Sequence, residues 1–348
     1  MTARVTVAVD ANGADRGPAE VARAAAAAAG DGVEVIVFGP AGELGLPADG
    51  VEVVDAPVSI AKAPDPARAV RTQPEASIVQ AVQAVAAGRA QALVSGGSTG
   101  ATLAAGLFHL KRARGVHRPA LAVLVPAPRA PFLLLDAGAN VEVRPEHLVQ
   151  FAHMGAAFME AVAGVARPRV ALLSNGAEPA KGTEEVVAAH ALLAAQPGGL
   201  NFVGNVEGFA IGTGVADVLV ADGFTGNVAL KVMEGASAAL LAAVRAAATS
   251  SHRAKAGGLL LRPALRGLRD DLDPEAQGGA FLLGLRGLVV VPHGSFGADG
   301  IARAIALAAR GAREDVVGRT HERLASAGAL RQALPEPSAA GASVQGPT

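Results

Sequence analysis

Seven stretches of the chain set Asn, Asp, Ser, Lys or His among glycines directly after a short apolar run. They are DANGAD (10–15), SGGSTGA (95–101), DAGAN (136–140), SNGAEPAKG (174–182), GNVEG (204–208), DGFTGN (222–227) and PHGS (292–295). Neutral donors and glycine amides, with few acids beyond Asp10, Asp136, Glu207 and Asp222, suit an oxyanion, and phosphate is the obvious one. Lys181, backed by amides around Gly176 and Gly182, is the candidate point charge for it; a solvated surface lysine is the competing reading. Asn140, Asn205 and Asn227 can each donate to an anion without adding charge, or can cap helices and tight turns. Asn227 opens the helix-like NVALKVMEG and is the preferred oxyanion contact, with Asp222 orienting its loop. His293, with Ser295 beside it, could hand a proton to a departing group, although a structural histidine is equally ordinary. Asp10, Gly97, Ser98, Thr99, Gly100 and Gly226 complete the candidate binding set.

Several chemistries are excluded. The chain has no cysteine, so disulfides, thiolate zinc sites, iron–sulfur clusters and an enzyme-bound thioester are impossible. GxGxxG after a strand, a Walker A loop, HExxH and EF-hand spacing are all missing. Thirty Lys and Arg against 31 Asp and Glu leave a net charge of −1, and there is no Trp or Tyr. General nucleic-acid binding therefore lacks both its electrostatic drive and its stacking platforms. The ordinary metal-site classes lose support.

The elements that must hold these loops follow from the pattern. With 348 residues, 51% hydrophobic and 18% charged, the chain can build a core of two domains or one large α/β unit with an excursion. Strands are expected at 5–10, 33–39, 92–95, 121–126, 132–136, 170–174, 202–204, 218–221 and 288–292. Helices are expected at 19–29, 77–87, 101–113, 145–163, 183–195 and 228–247. Alternation of this kind reads as a parallel sheet with flanking helices, whose ligand loops sit at the carboxyl ends of the strands. All seven loops are thus expected on one edge.

Residues 249–279 break the pattern and read as a protruding amphipathic excursion from an α/β fold made of 1–248 and 280–330. LLLRPALRGLR spaces Arg262, Arg266 and Arg269 along one helical side, apart from most of its leucines. Either the leucines pack on the core or on a second subunit, or the patch meets a membrane surface or an acidic protein. Pro263 and the glycines argue against a long helix here. Residues 331–348 have the composition of a disordered tail. Mean hydropathy is positive (+0.36), yet no apolar run of about 18 residues is free of Gly, Pro or charge, so no membrane span is expected. The N-terminus runs straight into VTVAVD with no leader pattern, which reads as cytoplasmic.

Taken in order, the loops resemble the PlsX family, bacterial phosphate acyltransferases that turn acyl carrier protein thioesters into acyl phosphates at the start of phospholipid synthesis. The resemblance spans about residues 4–312. It is carried by LLDAGANVEVRPEHLVQFAHMG (134–155), NFVGNVEG (201–208), ADVLVADGFTGNVALKVMEG (216–235) and GGAFLLGLRGLVVVPHGS (278–295). It implies an isocitrate and isopropylmalate dehydrogenase-like fold, a homodimer, a helical excursion that touches membrane, and no metal or redox cofactor. Its implied partners are acyl carrier protein and inorganic phosphate. Where the family pattern is close to DAMGGDHAP, this chain has Asn12, Ala14 and Arg16. Its SAGNTGA loop appears here with Ser98, and its lysine-rich segment reads RTQPEAS (71–77).

Attack of phosphate on a thioester needs the anion held beside the carbonyl, donors for the tetrahedral oxyanion, and a proton for the departing thiolate. Phosphate is already an anion at neutral pH, so no activated serine or cysteine is required. Arg112 and Arg114, or the excursion arginines, could steer an acidic carrier protein. A phosphotransacetylase-like transfer from a CoA thioester, and a catalytically silent membrane-recruiting scaffold, are the alternatives.

Overall fold

Runs such as VTVAVD and VEVIVFG have no polar alternation, which suits strands buried on both faces. The computed structural model describes residues 4–45, 48–127, 129–195, 199–271 and 273–331. Most of the expected 331–348 tail lies outside them. Among the described residues the strands are β1 (Val5–Asp10), β2 (Val33–Gly39), β3 (Val51–Asp55), β4 (Ala92–Ser95), β5 (Ala120–Val125), β6 (Phe132–Leu135), β7 (Arg169–Ser174), β8 (Asn201–Glu207), β9 (Val218–Val220), β10 (Ala280–Leu283) and β11 (Leu288–Val291). The helices are α1 (Pro18–Ala28), α2 (Ala41–Leu44), α3 (Pro66–Thr72), α4 (Ser77–Ala86), α5 (Thr99–Ala105), α6 (Pro145–Ala161), α7 (Glu184–Ala194), α8 (Gly223–Thr249), α9 (His252–Asp271), α10 (Ala298–Arg313) and α11 (Val316–Ser326).

One sheet takes the order β3-β2-β1-β4-β11-β10-β5-β6-β9-β7-β8. Helices α1, α6, α7, α10 and α11 cover one face and α3, α4 and α5 the other. Thus Val7 and Val9 of β1 join one core layer and Ala8 joins the second. The sheet is mostly parallel, as expected, but β11/β10, β10/β5 and β5/β6 pair antiparallel. An odd number of reversals leaves the block β3-β2-β1-β4-β11 pointing opposite to the block β6-β9-β7-β8. The expectation of a single loop-bearing edge is therefore wrong. DANGAD, SGGSTGA and PHGS lie at one edge, and DAGAN, SNGAEPAKG, GNVEG and DGFTGN at the other.

The excursion also differs from its expected form. The first turns of α8 rest on the second core layer through Ala229, Leu230 and Met233. The helix then runs on to Thr249 and packs against α9. The reading of Pro263 as a bar to a long helix is overturned, because α9 spans 20 residues with Pro263 inside it. A proline removes one N–H and crowds the preceding turn, but Leu, Ala and Arg on either side are good helix formers and α8 supplies a packing surface. By length and composition alone α8 is apolar enough to cross a membrane, which the sequence reading did not anticipate.

Glycine sets one close approach that matters to the site. A Cβ on Gly155 of α6 would lie 2.5 Å from Val218 Cγ1, so this helix lies directly on β9. Gly155→Val is expected to cost about 1–3 kcal/mol through overpacking. Urea unfolding should show a lower midpoint at unchanged slope; an unchanged midpoint would contradict this contact.

Candidate active site

Four adjacent parallel strands, β6, β9, β7 and β8, bring four loops to one edge. At about 4.8 Å per strand they share a rim roughly 15 Å long. The organising group is Asp136, which is fully buried. Its Oδ1 accepts from the N–H groups of Leu121 (2.9 Å), Gly138 (3.1 Å) and Ala139 (3.0 Å), and its Oδ2 from Asn140 N (2.7 Å) and Nδ2 (2.7 Å). Burial pushes its pKa up and these donors oppose that rise. Gly226 sits directly on the Asp136 carbonyl, where any side chain would collide, and Gly223 N–H donates to Asn140 O at 2.6 Å. Asp222 caps α8 by accepting from Thr225 N at 2.8 Å.

Of the three expected amide donors, only Asn227 remains open. It is exposed, and its side chain lies about 3.8 Å from where a Cβ on Gly138 would be. Both N–H groups of Asn140 are spent, on Pro119 O and Asp136 Oδ2 at 2.7 Å each, so Asn140 ties loops together and is not an anion donor. Asn205 likewise spends its Nδ2 on the carbonyls of Glu178 (2.9 Å) and Lys181 (3.4 Å). The α8 terminus is no open amide cradle either, since Gly223 N and Thr225 N are both engaged.

Lys181 is exposed and enters no ion pair among the described residues. Gly176 makes room for it: a Cβ there would fall 2.6 Å from Lys181 Cγ. Gly182 has φ +113° and lies against Ser174. Ser174 Oγ and Asn205 Oδ1 are buried without a hydrogen-bond partner, which leaves unused polar capacity beneath the Lys181 loop. The sequence reading passed over Ser174 and Asp136. A polar residue ending each strand was the available signal.

At the opposite edge, Asp10 is buried and accepts from Ser77 Oγ (2.6 Å), Ser95 Oγ (2.8 Å) and Asn12 N (3.2 Å). Burial raises its pKa against those bonds. The backbones of Gly13 and Gly97 touch, and Gly97, Ser98, Thr99 and Gly100 form the start of α5. Asn12 donates to Ala56 O at 2.8 Å and so braces its own loop. His293 is here too, with Nδ1 2.8 Å from Ser295 Oγ. The structure thus separates Asp10, the 97–100 loop and His293 from Lys181, Asp222 and Asn227 within one chain.

This arrangement can be set beside known proteins. The model of the fatty acid synthesis protein family matches residues 5–319. The chain belongs to this family. It is 44% identical over 318 residues to the phosphate acyltransferase of Moorella thermoacetica, covering 89% of this chain and 93% of that relative. It is also 44% identical over 325 residues to a phosphate acyltransferase of Thermus thermophilus, covering 92% and 98%. Among solved structures, EutD phosphotransacetylase from Staphylococcus aureus superposes with a TM-score of 0.57 at 19% identity, over 89% of this chain and 94% of that one. A 4-hydroxythreonine-4-phosphate dehydrogenase from Klebsiella pneumoniae gives 0.54 at 15%, over 90% and 99%. These two share the fold: a mostly parallel α/β sheet with flanking helices.

Two outcomes follow for this family member. Asn140→Ala should cost about 1–3 kcal/mol, because it strands a buried carbonyl and part of a buried carboxylate, whereas Asn227→Ala should stay within about 0.5 kcal/mol; denaturant titration separates them. At the start of α6, Arg144 N donates to His147 Nδ1 at 3.2 Å. Burial, then His117, Arg118 and Arg144, lower the His147 pKa from 6.5 to about 4. Between those values the unfolded chain binds the extra proton, so stability should fall as pH drops through that window. His147→Gln should flatten the slope there, and an unaltered slope would exclude His147 as its source.

Proposed function

We propose that this chain is a phosphate acyltransferase that moves an acyl group from an acyl carrier protein thioester to inorganic phosphate. The observation that carries the reading is the 44% identity to a phosphate acyltransferase across 89% of the chain. A phosphate oxygen attacks the thioester carbonyl, forming the C–O bond. The tetrahedral oxyanion then collapses, the C–S bond breaks with its electron pair on sulfur, and acyl phosphate is released. A thiol has a pKa near 8.5, so the thiolate can take its proton from water. That removes the need for His293, which sits at the other edge of the sheet.

In this reading Lys181 neutralises the phosphate, Asn227 donates to the oxyanion, Asp222 and Gly226 hold Asn227 in place, and Ser174 Oγ is an added donor. The isocitrate and isopropylmalate dehydrogenase-like architecture is the finer fold assignment that accompanies it. The homodimer and the peripheral, cytoplasmic membrane contact draw support from the hairpin of α8 and α9. Val232 and Leu240 on the first helix and Leu259, Leu260 and Leu261 on the second are exposed, next to Arg262 and Arg266. The excursion then begins within α8 and not at residue 249.

Lys181→Met should raise the KM for phosphate by about tenfold or more, the loss expected for one charge-assisted contact. Asn227→Ala should slow single-turnover acyl transfer by about 10²–10³. Phosphate-dependent thiol release, measured with carrier protein and with CoA thioesters, checks both effects and the choice of donor. No acyl phosphate from either donor would leave the scaffold reading.

A further inference from the structure

The edge that carries the Lys181 and Asn227 loops continues into a cluster of cations that the proposed chemistry does not use. Within residues 111–118, 141–147 and 284–287 there are six Lys or Arg (Lys111, Arg112, Arg114, Arg118, Arg144 and Arg286) and two carboxylates, Glu142 and Glu146. All six cations are exposed. None enters an ion pair among the described residues. In a chain of net charge −1 this is a local excess, and it sets up a positive field on one side of the molecule.

The backbone beneath the cluster is fixed from several directions. Arg112 pairs antiparallel with Leu285, Arg286 N donates to Lys111 O at 3.0 Å, and Ala113 N donates to Gly284 O at 2.9 Å. Gln150 of α6, fully buried, accepts from His117 N (2.9 Å) and donates to Gly115 O (3.0 Å) and Ala329 O (2.7 Å). The cluster also joins the rim without a break. Asn140 grips Pro119 O, next to Arg118, and Arg144 follows Asn140 by four residues.

We propose that this patch is the docking surface for the acidic carrier protein, placing its thioester arm at the Asn227 end of the rim. The inference rests on the acyl carrier protein reading above and adds the surface that recognises the carrier. Charge complementarity favours an acidic protein, and the fixed backbone gives it a preformed target. Within the cluster Val141 is the one exposed large apolar residue among those described, whereas Val232, Leu240, Leu259, Leu260 and Leu261 gather on α8 and α9, away from it.

The test is Arg114→Glu/Arg118→Glu, two exposed residues with no assigned contact to substrate. The expected result is a KM for acyl carrier protein raised tenfold or more, a kcat within twofold, and an unchanged KM for phosphate. Raising salt from 0.05 to about 0.5 M should raise the wild-type carrier KM and barely alter that of the variant. A carrier with compensating lysines should restore the variant, which a folding defect would not allow. Arg262→Glu/Arg266→Glu should leave the carrier KM in place. An unchanged carrier KM in the Arg114/Arg118 variant, with active wild type, overturns the docking surface. So does loss of binding to phosphatidylglycerol vesicles with the carrier KM intact, which would make the patch a lipid contact. Wild-type enzyme that makes no acyl phosphate from carrier thioester overturns the parent reading instead.

Discussion

Asp136 is sealed from solvent, yet its two oxygens receive five N–H groups. Such a carboxylate is tolerable only while its donors stay in place, since a buried charge left unpaired is expensive. One donor comes from β5 and the rest from its own loop, so it fastens the start of one strand to the end of its antiparallel neighbour. Asn140 extends the clasp to Pro119 on one side and, through its carbonyl, to Gly223 on the other. Gly226 then rests on Asp136 itself. The aim of α8, the position of Asn227 and the anchorage of the cationic loop all derive from this one carboxylate.

Much of the fold was legible because parallel strands buried on both faces announce themselves as apolar runs. β1, β2 and β4 fall where the pattern places them. The reversal at the centre of the sheet was not. β10 is only AFLL between glycines, too short to separate from a loop by composition, and missing it hid two of the three antiparallel junctions. Another was in plain view: ALAVLV and FLLL are joined by six residues without a helical stretch, which is a hairpin connection and not a crossover.

Within the site, residue type was readable and partner choice was not. Asn140, Asn205 and Asn227 look alike in sequence, each after an apolar run among small residues. Two turn their amides inward to carbonyls fixed by other segments, and only the third keeps its amide free. That distinction is set by residues such as Pro119 and Glu178, which local spacing does not connect to them. Asp136 was passed over for a related reason: an acid looks ill suited to an anion site until its charge is seen to be consumed by the backbone.

Gln150 bears on the tempo of any encounter at the cationic edge. Because this buried amide braces residues 115–117 from behind, the loop is already ordered before anything approaches, and capture need not wait for a segment to fold. Long-range attraction sets how fast a visitor arrives, and a rim of solvated charges holds it only loosely. A surface of that kind favours brief visits, as befits an enzyme that must release each spent carrier before receiving the next.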